Sequence, residues 1–142
     1  LGSVPLQPGI AKGSCLCNET AWEFSGPPEF VQNCHCSRCR RARGAAHATN
    51  AFFKREQLTW IQGEDCVESF ALPGAKRFGQ AFCRRCGSAV PRVVASTGYV
   101  VVPCGGLDDP PGRFPRGHIF TGSKAPWHEI TDGRPQWESL PA

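Results

Sequence analysis

The sequence lacks several features that are typical of particular classes of protein. The 142 residues contain no methionine, a single tyrosine and no stretch near the roughly 20 apolar residues that a membrane-spanning helix needs. The N-terminus lacks the positively charged and apolar segments of a secretory signal peptide. We therefore expect neither a membrane protein nor a secreted one. We also expect the start of the chain, Leu1-Gly2-Ser3, to be processed or left from cloning.

Long helices are also excluded, because thirteen prolines and sixteen glycines punctuate the chain. Short apolar or alternating segments between these residues predict strands over 20–24, 47–53, 58–61, 67–72, 77–83, 89–94 and 99–102. The last of these is the most apolar and is typical of a buried central strand. The one plausible helical turn covers residues 38–43. Since no repeat or long linker divides the chain, we expect an N-terminal extension over 1–11 and a single all-β domain over 12–142.

Cysteine is abundant, and its spacing is informative. Nine cysteines occur, and seven of them fall into short groups: Cys15 and Cys17, Cys34, Cys36 and Cys39, and Cys83 and Cys86. Neighbours so close in sequence are poorly placed to form disulfides with each other, because a disulfide fixes the separation of its Cα atoms. Short-spaced pairs from distant parts of a chain are typical of zinc sites. We therefore favour metal binding over a disulfide framework and expect a reducing, cytoplasmic location.

The first and last groups supply four thiolates, the number that closes a structural zinc site. Cys15 and Cys17 precede the first predicted strand, whereas Cys83 and Cys86 follow about seventy residues later. A metal that joins them would hold the two ends of the sheet together and contribute on the order of 10 kcal/mol to folding. The alternative is two unrelated pairs of buried cysteines.

The middle group, Cys34, Cys36 and Cys39, supplies only three thiolates. Three ligands leave a fourth position for water or a substrate thiol, which is typical of catalytic zinc. A fourth protein ligand would instead close the site, and the spacing leaves both possibilities open. His35 is less suited to close it, because adjacent side chains of an extended segment point to opposite sides. The remaining candidates for closure are Cys66, Cys104, His47 and His118. We expect Cys66 and Cys104 to be small apolar core residues rather than ligands.

Four arginines follow or interrupt the middle group: Arg38, Arg40, Arg41 and Arg43. They can offset the negative charge of the thiolates, bind carboxylates of an anionic substrate, or contact nucleic acid. The net charge of +4 is a weak signal for nucleic acid. A solvated arginine-rich turn is the plain alternative.

These motifs resemble the glutathione-dependent formaldehyde-activating enzyme family, also called GFA or CENP-V-like. The resemblance runs from Lys12 to the end of the chain and rests on five segments. They are 13–17 (GSCLC), 34–40 (CHCSRCR), 82–88 (FCRRCGS), 106–108 (GLD) and 124–127 (KAPW).

The resemblance implies an all-β, Mss4-like β-tent of short antiparallel sheets, stapled by zinc and with little helix. It implies a structural zinc on Cys15, Cys17, Cys83 and Cys86, and a labile catalytic zinc on Cys34, Cys36 and Cys39. It also implies a carbon–sulfur lyase that joins glutathione and formaldehyde as S-hydroxymethylglutathione. Arg38, Arg40 and Arg41 would then bind the anionic substrate.

Three positions depart from the family pattern: Asn18 replaces a usual glycine, Arg43 a usual serine or threonine, and His47 a common apolar aromatic. Asparagine tolerates a left-handed backbone, so the turn after Cys17 should persist. The other two border the three-cysteine group, so the substrate can differ from that of the family. Our leading hypothesis is a zinc-dependent lyase for a glutathione–aldehyde adduct or a similar thiol conjugate. The alternative is a non-catalytic, zinc-stapled interaction module, and a nucleic-acid partner ranks last.

Overall fold

The computed structural model describes residues 9–141 and contains ten short strands and one α-helix. Leu1-Gly2-Ser3 and most of the expected N-terminal extension lie outside the described residues. Strands β1 (Ile10–Ser14), β2 (Ala21–Ser25) and β5 (Leu58–Gln62) form an antiparallel sheet in the order β1-β2-β5.

Strand β1 was not predicted from the sequence, since Gly13 interrupts its pattern. The structure shows why a glycine is needed there. A Cβ atom on Gly13 would lie 2.4 Å from the carbonyl oxygen of Gly106 and 2.6 Å from Nε1 of Trp22. The close approach of the Gly106 loop and the Trp22 ring therefore excludes every larger residue.

The central sheet has five strands in the order β10-β3-β4-β9-β8. Its bounds are β3 (Phe30–Cys34), β4 (Ala48–Lys54), β8 (Arg92–Val94), β9 (Tyr99–Pro103) and β10 (His118–Ile119). Strand β10 runs parallel to β3, and the other neighbours are antiparallel. The central position predicted for 99–102 is confirmed, but β9 is buried on one face only: Val100 and Val102 are buried, whereas Tyr99 and Val101 are half-buried.

A third, two-stranded sheet pairs β6 (Val67–Ala71) with β7 (Gly79–Cys83). The only α-helix described, α1 (Ser37–Arg43), agrees with the predicted helical turn. Its first turn is capped by Cys36, whose Sγ accepts a hydrogen bond from the backbone N–H of Cys39 at 3.3 Å. It ends at Gly44, which has a left-handed φ of 60°.

The core lies between the sheets and is rich in aromatic side chains. Phe24 of β2 stacks on Phe53 of β4, with ring centroids 4.0 Å apart, and both rings are fully buried. Cys15, Cys66 and Cys83 belong to the same buried cluster. The predicted all-β, Mss4-like class with little helix is confirmed. None of the helices described is long and apolar enough to cross a membrane.

Candidate metal centres and the adjoining cavity

The first candidate metal centre brings together Cys15, Cys17, Cys83 and Cys86, whose sulfur atoms all lie within 4.8 Å of one another. The Sγ of Cys17 lies 3.7 Å from that of Cys15 and 3.8 Å from that of Cys83. A zinc–sulfur bond of ~2.3 Å places the corners of a tetrahedron about 3.8 Å apart. The spacing of the thiols therefore fits a four-thiolate metal site.

Local backbone turns position these four sulfur atoms. Asn18 adopts the left-handed conformation that the sequence predicted, with φ of 66°, and Gly87 follows the second pair with φ of 78°. The backbone N–H of Thr20 donates to Cys15 Sγ at 3.3 Å. Hydrogen bonding with the Ser88 hydroxyl, assisted by backbone N–H groups, lowers the pKa of Cys86 to about 5. These donors favour the thiolate form that a metal requires.

The second candidate metal centre, which we call the three-thiol site, contains Cys34, Cys36 and Cys39. Cys34 ends β3, Cys36 caps α1, and Cys39 lies in the first turn of that helix. Hydrogen bonds with the Cys34 and Cys39 thiols, together with the backbone N–H groups of Cys39 and Arg38, lower the pKa of Cys36 to about 2. The same contacts with Cys36 raise the pKa of Cys34 to about 11. These contacts therefore favour negative charge at Cys36 over Cys34.

Among the residues that the structure describes, no fourth side chain completes the three-thiol site. Within residues 9–141, no additional histidine, cysteine or carboxylate offers a ligand atom within 4.8 Å of all three thiols. Cys66 is buried elsewhere, with its Sγ 4.0 Å from that of Cys83, and burial raises its pKa. Cys104 is partly buried, and burial raises its pKa to about 11. Cys66 belongs to the buried core and Cys104 packs against it, as predicted, and neither is part of a candidate metal centre.

All four histidines of the chain meet in one cluster, formed by His35, His47, His118 and His128. His35 is fully buried, and its Nε2 lies 2.8 Å from Nδ1 of His118. On the far side of His118, Nε2 lies 2.9 Å from a carboxylate oxygen of Asp132. His35 therefore points away from its cysteine neighbours, as the alternation of an extended segment predicts. Burial, aided by the other histidines, lowers its pKa to about 4, so it is neutral at pH 7.

A cavity of about 380 Å³ adjoins the three-thiol site. Its lining includes Cys34 and Cys39, the amides of Gln32, Asn50 and Gln80, several aromatic rings, and Arg43, Arg77 and Arg92. Arg43 spans the cysteine end: Nη1 donates to Gln80 Oε1 at 2.7 Å, and Nη2 donates to Asn50 Oδ1 at 3.1 Å. Burial lowers the pKa of Arg43, while negative charge on Cys39 and Cys34 acts in the opposite direction.

The structure places the three arginines predicted to bind substrate outside this cavity. Arg38 and Arg41 border a separate surface hollow between α1 and the hairpin of β6 and β7. Arg40 has a buried Nε atom without a hydrogen-bond partner, and it does not line the cavity. The sequence analysis grouped Arg43 with the other three arginines near the thiols and noted it as a departure from the family pattern, but did not include it among the substrate-binding residues. Arg43 lies at the end of α1, four residues after Cys39, so the two side chains lie on the same side of the helix. This spacing could have indicated from the sequence that Arg43 lies beside the thiols.

The fold and the two thiol clusters define a small all-β protein with two sites that can hold a metal ion. The chain belongs to the GFA family, because residues 10–123 match the family described as "Glutathione-dependent formaldehyde-activating enzyme". Its fold is similar to the crystal structure of a Rhodobacter sphaeroides protein, with a TM-score of 0.58 and 24% sequence identity. That similarity covers 76% of this chain and 99% of the other. No curated protein sequence matches the chain.

Proposed function

We propose that the protein is a zinc-dependent carbon–sulfur lyase that acts on a glutathione–aldehyde adduct, in the manner of an S-hydroxymethylglutathione synthase. One observation carries the proposal: the three-thiol site lies at the end of a cavity, and no fourth ligand from the described residues closes it. Membership of the GFA family supports this reaction class. The four-thiol site would hold a structural zinc, and the three-thiol site the working one.

Zinc suits both sites because thiolates are soft ligands and the sulfur spacing matches a tetrahedron. A zinc ion with an open position, when bound, supplies Lewis acidity that stabilises a thiolate or polarises a carbonyl oxygen. Thiolates that hold metal persist in a reducing compartment, which supports a cytoplasmic location.

The reaction is an addition without redox change. The glutathione sulfur attacks the aldehyde carbon, a carbon–sulfur bond forms, and the thiol proton ends on the former carbonyl oxygen. The lyase direction reverses each of these steps. Cys34, Cys36 and Cys39 would hold the metal at the reacting end of the cavity. The guanidinium of Arg43 places a positive charge beside these thiols. This charge stabilises negative charge on sulfur and the negative charge that develops on the aldehyde oxygen during the addition.

The amides of Gln32 and Asn50 are buried in the cavity wall and can bind the hydroxyl of the adduct or a peptide group of glutathione. Arg77 and Arg92 line the same cavity and are suited to the carboxylates of the tripeptide. A substrate contact of Arg38, Arg40 or Arg41 stays a prediction, and it would have to occur outside this cavity.

The reaction can be tested by two-dimensional exchange NMR with ¹³C-formaldehyde and glutathione at equilibrium, which measures adduct formation above the spontaneous rate. We expect acceleration by the wild-type protein and by Cys104→Ser, whose cysteine lies outside both clusters. Cys36→Ser should give the spontaneous rate. If protein with two zinc ions per chain accelerates exchange for neither formaldehyde nor a larger aldehyde, the alternative of a zinc-stapled interaction module replaces the lyase.

A further inference from the structure

The central sheet has two unlike faces. On one face the apolar side chains are fully buried in the core: Val31, Ala51, Phe53, Val100 and Val102. On the opposite face, Phe30, Phe52, Tyr99 and Val101 are only half-buried, and all four line the cavity. Large apolar side chains that line a concave cavity are typical of a ligand-binding wall.

The side chains of this wall change in character along β3. Cys34, Gln32 and Phe30 are spaced by two residues, so they share one face of the strand. The Cα atoms of the first and last are about 13 Å apart at the rise of a strand. The register with β4 places Asn50 beside Gln32 and Phe52 beside Phe30. The cavity therefore runs from thiols, past two amides, to aromatic rings.

At the aromatic end of the cavity, the rings pack against one another in a defined arrangement. Phe30 and Phe52 stack with centroids 4.5 Å apart. The ring of Tyr99 meets both edge-on, at 6.1 Å from Phe30 and 6.3 Å from Phe52. Val94 on the neighbouring edge strand also lines this part of the cavity. Because the guanidinium of Arg116 lies over the Phe30 ring, 4.0 Å from its centroid, this wall offers mainly edge contacts to another ring.

We propose that this aromatic end binds a ring-bearing apolar group attached to the carbon of the thiol adduct. The preferred substrate class is then an adduct of glutathione with an aromatic aldehyde, ahead of the adduct with formaldehyde. This inference rests on the proposed function. A one-carbon group at the three-thiol site would leave the aromatic wall, which begins four residues away along β3 at Phe30, in contact with water. A phenyl or longer arylalkyl group reaches toward it and buries apolar surface on both partners. The ring takes no part in the addition, so the balance of atoms given above is unchanged.

Binding of two stable thioethers measures this preference directly. S-benzylglutathione carries a ring, whereas S-methylglutathione carries one carbon, and both share the same tripeptide. Isothermal titration calorimetry with the zinc-loaded protein should give an affinity at least about tenfold higher for the benzyl compound, because a ring is removed from water. Equal affinity for the two, or binding of neither at millimolar concentration, would overturn the inference. Equal affinity is also the result expected if the tripeptide itself fills the cavity.

Two variants localise the effect to the aromatic end. Phe52→Ala removes one of the stacked rings and should reduce the benzyl preference to about twofold or less, with little change for S-methylglutathione. Val94→Phe, on the edge strand, fills the same space from the other side and should abolish the preference without removing a core residue. Phe114→Ala is the matched control, since Phe114 is half-exposed and lies outside the cavity. An undiminished preference in both cavity variants would contradict the proposed location.

The result can be separated from a failure of the lyase proposal, because binding is measured without turnover. If the protein prefers the ring-bearing ligand but accelerates no adduct exchange, the aromatic binding site is supported and the lyase proposal is wrong. If it accelerates the formaldehyde reaction but shows no ring preference, the lyase proposal is supported and the aromatic site is wrong.

Discussion

Nε2 of His35 lies 2.8 Å from Nδ1 of His118, although the two residues are 83 positions apart in the chain. Because Nε2 of His118 faces the carboxylate of Asp132, we assign the proton of His118 to that nitrogen, so that its Nδ1 accepts a hydrogen bond from Nε2–H of His35. His35 lies between Cys34 and Cys36, so this chain of hydrogen bonds fixes the segment that supplies two thiols. The parallel pairing of β10 with β3 brings the residues together.

The first prediction follows from this contact. His118→Ala leaves Nε2 of the fully buried His35 without its acceptor, which should lower the free energy of unfolding by about 1–3 kcal/mol. His128→Ala is the matched control, because that ring lies in the same cluster and His35 makes no hydrogen bond to it. Urea unfolding of the two variants provides the comparison. A loss of equal size in both would mean that the hydrogen bond itself contributes nothing specific.

The second prediction concerns acid stability. Burial, with smaller effects of His118 and His128, lowers the pKa of His47 below its usual 6.5. Below about pH 6.5 the unfolded chain takes up a proton that folded His47 resists, so stability falls as the pH falls through this range. Above it, His47 is neutral in both states and contributes nothing to the pH dependence. His35, with a pKa of about 4, acts in the same direction between about pH 6.5 and 4.

His47→Phe removes one of these two groups and leaves the other. The free energies of unfolding of wild type and variant, measured at several values between about pH 5 and 8 with zinc constant, should therefore diverge in acid. The variant should lose less stability as the pH falls, and the difference between the two curves should become constant above about pH 7. Parallel curves over the whole range would contradict the assignment.

The third prediction separates the two thiol clusters by their effect on folding. The four-thiol site joins the β1–β2 turn to the end of β7, so Cys83→Ser should give unfolded or insoluble protein. The three-thiol site lies within one segment of six residues, and Cys36→Ser should fold and lose at most one zinc ion. Thermal unfolding of both variants tests this difference. An equal fall in Tm would show that the assignment of structural and working sites is wrong.

The fourth prediction identifies which arginine matters. Arg43→Met retains the length of the side chain but removes the cation beside Cys39 and the hydrogen bonds to Asn50 and Gln80. We expect at least about a tenfold loss in the rate of adduct exchange, corresponding to ~1.4 kcal/mol of transition-state stabilisation. Arg41→Met, on the exposed side of the same helix, should have little effect. A larger loss of rate for Arg41→Met than for Arg43→Met would instead support the sequence-based prediction that Arg38, Arg40 and Arg41 bind the substrate.

Short-range patterns explain why much of the fold and both thiol clusters were predictable. The cysteine spacings, the left-handed turn at Asn18 and the helical turn after Cys36 are each determined within a few residues. Strand β1 could not be predicted in this way, because the need for Gly13 arises from Trp22 and the distant Gly106 loop. The histidine cluster likewise depends on β10 pairing with β3, and no spacing in the sequence records that contact.

The cavity could not be predicted from the sequence for a related reason. Residues 99–102 form the most apolar run, and apolar runs usually indicate burial on both faces. The side chains of Tyr99 and Val101 stay half-buried because they line the cavity, whose other walls include β7 and the helix α1. That arrangement depends on tertiary packing, which periodicity does not contain.

The central claim is that the three-thiol site holds a zinc ion with a position open to a thiol. Zinc content per chain, measured before and after dialysis against reduced glutathione and a mild chelator, tests it most directly. We predict up to two zinc ions before treatment and one afterwards for the wild type. Cys36→Ser should contain one throughout. Two zinc ions that resist both reagents would show that the second site is closed, and would contradict the account.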